Sequence, residues 1–219
     1  KRNLAVVNCW DDQAHDRDRV LAADAQMVLS LGHLVALQRE FPEHRSFYVT
    51  HHVNLDFPVA SPPQDRLRTA YFGAAYNTRL PGSLQDLVEI IHTEVLTSDD
   101  QCNWTDRFAE YNCHWILRNP QHWDGWKPFL KGFVAARYGA PVVAARDDLE
   151  ALYHLGDDYP FFVAGTSPAQ LELRLVEMQS EFGGPQWALA REIMGMVQER
   201  SSNAQVCRDF KRMIEHLRS

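Results

Sequence analysis

The sequence predicts an α/β protein built on parallel sheets. Three observations carry that prediction. Short apolar runs alternate with segments of helical period along most of the 219 residues, the pattern of strands joined by crossovers. The chain is 45% hydrophobic and 23% charged, enough apolar material for a sizeable core and the wrong balance for disorder or low complexity. A proline-rich stretch, Phe57 to Gln64, falls between two such alternating blocks and reads as a linker.

Leu4 to Cys9 is the first expected strand, passing into the acidic turn Trp10-Asp11-Asp12. Asp16-Arg17-Asp18 reads as a solvated turn. Ala25 to Leu29 is the second strand, closed by Ser30-Leu31-Gly32. His33 to Glu40 sets Leu34, Leu37 and Phe41 on one helical face, and Pro42 ends that helix. Ser46 to Thr50 is the third strand, running out into His51-His52-Val53-Asn54.

The second block opens with the strand Leu67 to Phe72, which ends in Gly73. Leu84, Leu87, Val88 and Ile91 recur at helical spacing and predict a helix over 84–92. Asn112 to Leu117 is a further strand, followed by a polar, tryptophan-rich loop. Lys127 to Tyr138 predicts a helix with Pro128 in its first turn and Gly139 past its end. Ala140 to Ala144 and Tyr159 to Ala164 are the last strands. Gly183-Gly184-Pro185 then breaks the chain before two helices, about 186–200 and 203–217.

Composition narrows the function classes. Lys and Arg number 22 against 29 Asp and Glu, a formal charge of -7, so the footprint of a duplex-DNA binder is absent and no nucleic-acid partner is expected. Only four cations are lysines (Lys1, Lys127, Lys131, Lys211), and two of these stand four positions apart. The four cysteines are scattered with no C-x-x-C pair, which predicts a reduced, cytoplasmic protein. No apolar run approaches the ~18 residues of a membrane span, and no leader is visible. The abrupt start at Lys1 leads us to expect a trimmed chain or a piece of a longer one.

In open α/β sheets ligands bind beyond the carboxyl ends of strands, and three segments have that placement. Around Gly73 the backbone can turn tightly and expose its amides, with Asn77 near and Arg79 able to clamp a phosphate; an ordinary loop with an exposed Arg is the alternative. Lys127 and Lys131, at i and i+4 of an expected helix start, would form an anion site; a solvated surface pair is the alternative. Asp148 and Glu150 could accept hydrogen bonds from sugar or ribose hydroxyls, or simply cap the following helix, or both. His51 and His52 could each act as a general base or a phosphate contact, but i,i+1 spacing on a strand prevents joint chelation of a metal. No zinc, P-loop or serine-hydrolase motif is present, and no metal or other cofactor is expected.

Lys127-Pro128-x-x-Lys131 followed by Ala135-Ala136-x-x-Gly139-Ala140-Pro141-Val142-Val143 resembles a stretch of bacterial glycosyltransferases with the GT-B fold. Leu67 to Arg79 resembles the first strand and glycine loop of their C-terminal domain. Ala23 to Ser30 is similar to a strand late in their N-terminal domain, and Tyr48 to Asn54 to the turn before the interdomain linker. The chain departs from retaining members, which usually carry an E-x7-E element where it has Lys127 and Lys131.

The resemblance implies GT-B-like, Rossmann-type parallel sheets: a partial N-terminal domain over 1–56, a linker over 57–66 and a complete nucleotide-sugar-binding domain over 67–184. Helices over 185–219 would return toward the N-terminal part. It further implies transfer of a sugar from a nucleotide-diphosphate donor to a glycan or small acceptor, with Lys127, Lys131 and Arg79 on the diphosphate. The alternative is a non-catalytic module of the same fold that binds a nucleotide or a protein partner; the tryptophans of the 123–126 loop are then its contact surface, or equally pack against the ligand or the core.

Overall fold

The computed structural model describes residues 5–11, 14–57, 61–93, 104–119, 126–165 and 167–218. The chain divides into two compact units. The first comprises residues through His52, a short stretch ending at Leu130, and Glu199 onward; the second is the rest between Val53 and Gln198. The 185–219 tail is thus shared between them.

In the first unit β1 (Val7–Trp10), β2 (Ala25–Val28) and β3 (Arg45–Tyr48) form a parallel sheet in that order. Val7 pairs with Ala25, and Ala25 with Arg45. Two helices make the crossovers, α1 (Arg17–Leu21) and α2 (Leu31–Glu40). Trp10, Val20, Val28, Leu37 and Phe41 close the core between sheet and helices. The Asp16-Arg17-Asp18 turn is instead the start of α1. Asp16 caps it by accepting from the Arg19 amide at 2.9 Å, which turns Val20 into the core.

The second unit holds five parallel strands: β4 (Thr69–Phe72), β5 (Val88–Ile91), β6 (Cys113–Trp115), β7 (Val142–Ala145) and β8 (Phe162–Val163). Their order across the sheet is β5-β4-β6-β7-β8. Helices α3 (Leu130–Arg137) and α4 (Leu149–Leu155) connect β6 to β7 and β7 to β8. After β8 come α5 (Pro168–Ser180) and α6 (Pro185–Arg200), and α7 (Asn203–Arg218) ends the chain. α7 belongs to the first unit, where Asp209 accepts from Thr50 at 3.2 Å and the His216 carbonyl from Arg45 at 3.1 Å.

Two further expectations change, and one element is new. Residues 84–92 are not a helix: a 3-10 turn covers Gly82–Leu84, and Val88 to Ile91 is a strand in register with Thr69 to Phe72. Val88, Ile90 and Ile91 are β-branched and suit a pleated surface, and pairing with β4 decides against the helical spacing. The helix expected from Lys127 begins at Leu130. Lys127 precedes Pro128, and steric conflict with the proline ring keeps such a residue out of the helical region. Lys127 and Lys131 therefore do not share a helical face. Finally, α5 was not anticipated, although Ser167-Pro168-x-Gln170 spells a capping box with proline in the first turn.

The linker is fixed at its far end. Asn112 is buried, and its side-chain amide donates to the carbonyls of Pro63 at 2.9 Å and Arg66 at 2.7 Å. Its oxygen accepts from the Arg68 amide at 2.8 Å. Cys9, Cys113 and Cys207 are free, while Cys102 and Trp123 lie outside the described residues. No helix among the described residues is long and apolar enough to cross a membrane.

Candidate functional site

Because all five strands of the second unit run parallel, their carboxyl ends lie on one side. The strand order reverses between β4 and β6: the chain leaves β4 toward β5 and returns on the other flank. Such a reversal leaves a crevice outside the strand ends, where ligands of open α/β sheets bind. Gly73 to Arg79 and Ile116 to Asn119 are the segments that leave these two strands.

At the end of β4, Gly73 has φ +148°, a conformation side chains rarely adopt, and its amide donates to the Ile91 carbonyl at 2.9 Å. The space its missing Cβ would occupy is bordered by Lys131 Nζ at 2.8 Å and Tyr71 Oη at 2.9 Å. Lys131, the second residue of α3, is exposed as a residue, yet its ammonium donates to the Phe72 carbonyl and sits 4.6 Å from the centre of the Tyr71 ring. The glycine therefore makes room first for a cation.

Beside this cation lies His114, 3% exposed on β6 and packed against Phe72 and Phe108. Burial first, and the Lys131 charge second, lower its pKa to about 3, so the imidazole is neutral at pH 7. Its Nε2 has no hydrogen-bond partner among the described residues.

The loop after Gly73 is tied to the segment after β6. Thr78 Oγ1 and the Arg79 amide both donate to the Leu117 carbonyl, at 2.9 and 3.1 Å, and the Asn119 amide donates to the Asn77 carbonyl at 3.1 Å. Trp115 Nε1 donates to the Arg79 carbonyl at 3.2 Å. Tyr76, 56% exposed, stands on this loop with its carbonyl held by Asn119. Asn77 and Arg79 are thus fixed by their backbones and half-buried.

Asp148 is the cap of α4: Oδ1 accepts from the Glu150 amide at 3.0 Å and the Ala151 amide at 3.2 Å. Its other oxygen faces Arg118 Nε at 4.0 Å, and Arg118 also bridges to Thr78. Glu150 is buried in the first turn of α4.

The structure therefore joins Gly73 with Lys131, Asn77 and Arg79 with the strand β6 exit, and that exit through Arg118 with Asp148. Lys127, His51 and His52 belong to the first unit. Lys127 is half-buried ahead of α3. The two histidines lie past the end of β3, with His51 Nδ1 2.7 Å from the His52 carbonyl and the rings 6.3 Å apart. Of the two readings for the tryptophan loop, Trp126 takes packing: it is half-buried and stacked on His33. Among the described residues no group of three or more His, Cys, Asp or Glu is placed to hold a metal ion.

Sequence reading assigned no role to Tyr71 or Arg118, and weighed His114, with His122, only as a zinc ligand whose spacing fits no zinc pattern. His114 carried one signal, a histidine inside an otherwise apolar strand. The partnership of Lys131 with the end of β4 carried none, since Phe72 is 59 positions away.

No protein-family profile and no curated protein sequence matches the chain. Solved structures do. A mutant of Staphylococcus aureus TarM in complex with fondaparinux, alpha-GlcNAc-glycerol and UDP matches with a TM-score of 0.66 at 8% identity, over 94% of this chain and 50% of that one. A glycosyltransferase from Rickettsia africae matches with a TM-score of 0.64 at 9% identity, over 96% of this chain and 70% of that one. Anabaena HepE in complex with UDP matches with a TM-score of 0.61 at 12% identity, over 96% of this chain and 71% of that one. The chain thus has the GT-B glycosyltransferase fold and spans about half the length of TarM.

Proposed function

We propose that this chain is the donor-binding part of a glycosyltransferase that moves a sugar from a nucleotide-diphosphate donor to a glycan or other small acceptor. The observation that supports it most is the Lys131 ammonium beside Gly73, at the strand reversal of a GT-B sheet. Glycosyl transfer leaves negative charge on the departing diphosphate, and a cation aimed at that oxygen stabilises the transition state more than the ground state.

In the free protein the ammonium donates to a neutral carbonyl. A diphosphate oxygen is a charged acceptor and the stronger partner. Neutral His114 beside it adds no rival positive charge. Arg79 and Lys127 supply further cations, and Asn77 a polar contact. Asp148 Oδ2, which faces Arg118, and Glu150 accept from ribose or sugar hydroxyls. The TarM and HepE structures hold UDP, which makes it the first nucleotide to try. A cytoplasmic setting accords with three free cysteines.

Thermal unfolding with UDP, GDP and ADP tests the proposal. A nucleotide at a hundred times its Kd adds about 2.7 kcal/mol, on the order of 5–10 °C for a chain of this size. Wild type should gain this shift with one of them, and Lys131→Ala should lose most of it. No shift with any nucleotide would sink the donor site. A shift that survives in both Lys131→Ala and Lys127→Ala would remove only the residue assignment. Release of free diphosphate from a nucleotide sugar distinguishes the enzyme from a binding module.

A further inference from the structure

In the first unit a row of side chains joins an exposed carboxylate to a buried aromatic stack. Glu40 Oε2 lies 2.8 Å from His15 Nε2, and His15 Nδ1 lies 3.2 Å from His33 Nε2. His33 is wholly buried, and its Nδ1 has no hydrogen-bond partner among the described residues. Two rings stack on it: His15 at 5.3 Å and 23°, and Trp126 at 5.8 Å and 21°. Gly32 leaves room for the indole, since a Cβ there would lie 3.2 Å from Trp126 Cε3.

The facing nitrogens of His15 and His33 can hold one proton between them. With Glu40 accepting from the far side of His15, the pair is stable when neutral or when it carries a single charge. A second charge would set N–H against N–H and break the bond. Charge on His33 would also leave a buried N–H at Nδ1 without an acceptor. Desolvation, and then the neighbouring His15, lower the His33 pKa to about 4. Among the described residues, the other charged or titratable groups around the row are Arg17 over the Phe41 ring at 5.6 Å, Arg19 over the Trp10 ring at 4.7 Å, and His44 at the edge of Phe41.

We propose that His33 is a positioning residue: the Glu40–His15–His33 row docks Trp126, and with it the adjoining Lys127, and releases them when both imidazoles are charged. The consequence for donor binding rests on Lys127 contacting the diphosphate. The docking of Trp126 does not, and it can be read without any nucleotide.

The experiment is fluorine NMR of the 5-fluorotryptophan-labelled chain from pH 8 to pH 3, with Trp126 assigned through Trp126→Phe and the fold followed by circular dichroism. The Trp126 resonance should move as pH falls below the ordinary histidine range while the fold persists. Glu40→Gln should displace that transition to lower pH, because the row loses the negative charge beside it that favours added protons. His33→Phe keeps a stacking ring without a titratable group, and its Trp126 resonance should stay fixed. A resonance that stays fixed in wild type, or that titrates in His33→Phe as in wild type, overturns the proposal. Should His33→Phe fail to fold, Glu40→Gln decides alone: an unmoved midpoint overturns the row.

Discussion

Replacing Gly73 with alanine would set a methyl group 2.8 Å from Lys131 Nζ and 2.9 Å from Tyr71 Oη. The backbone angle of +148° adds strain of about 1–2 kcal/mol for any L side chain. Both neighbours are side-chain ends, so the clash is relieved by displacing the ammonium from the Phe72 carbonyl. That bond is near the surface and is worth about 1 kcal/mol. Gly73→Ala should therefore lose about 2–3 kcal/mol in urea denaturation. Lys131→Met alone should lose about 1 kcal/mol, and the double variant should fall short of the sum by about the same amount, because the methyl no longer displaces anything. Effects that add to within about 0.5 kcal/mol would refute the contact on which the site is built.

Other perturbations test other parts of the account. Asp148→Ala should cost about 1 kcal/mol in the same assay through loss of the α4 cap, and Asp148→Asn much less. Equal losses would show that the charge, and not the cap, matters. Asn112→Ala removes the partner of two carbonyls and one amide, all in part-buried bonds, and should cost about 1–3 kcal/mol; a loss under about 0.5 kcal/mol would count against a tied linker. His33 and His114 are held neutral, with pKa values of about 4 and about 3 in the fold against 6.5 in the unfolded chain. The unfolded state therefore takes up protons first. Stability is full above pH 6.5 and declines below it, by about 1.4 kcal/mol per pH unit for each group. His114→Phe should flatten the decline by one proton, and an unchanged slope would contradict the neutral state.

The fold was legible where period and punctuation agreed. Ala25 to Val28 and Val142 to Ala145 are short apolar runs with turns after them, and α2 and α7 carry helical spacing between clear ends. It was illegible where one pattern fits two structures. Leu84, Leu87, Val88 and Ile91 satisfy helical spacing, and only the empty flank of β4 makes Val88 to Ile91 a strand. The start of α3 was misplaced because proline is welcome in a first helical turn, whereas the residue before it is not. The site followed the same division. Gly73 and Lys131 were visible as residue types after strands, but their contact arises from a crossover that brings α3 back over β4. His15, His33 and Glu40 each look ordinary in sequence, and only the parallel packing of β1, β2 and α2 aligns them.

Calorimetric titration of wild type and Lys131→Met with UDP and other nucleoside diphosphates tests the central claim most directly. Loss of a charge-assisted contact worth about 1.5–3 kcal/mol predicts at least ten-fold weaker binding by the variant. Equal affinity in the two proteins, or no binding by wild type, would contradict a donor site at the end of β4.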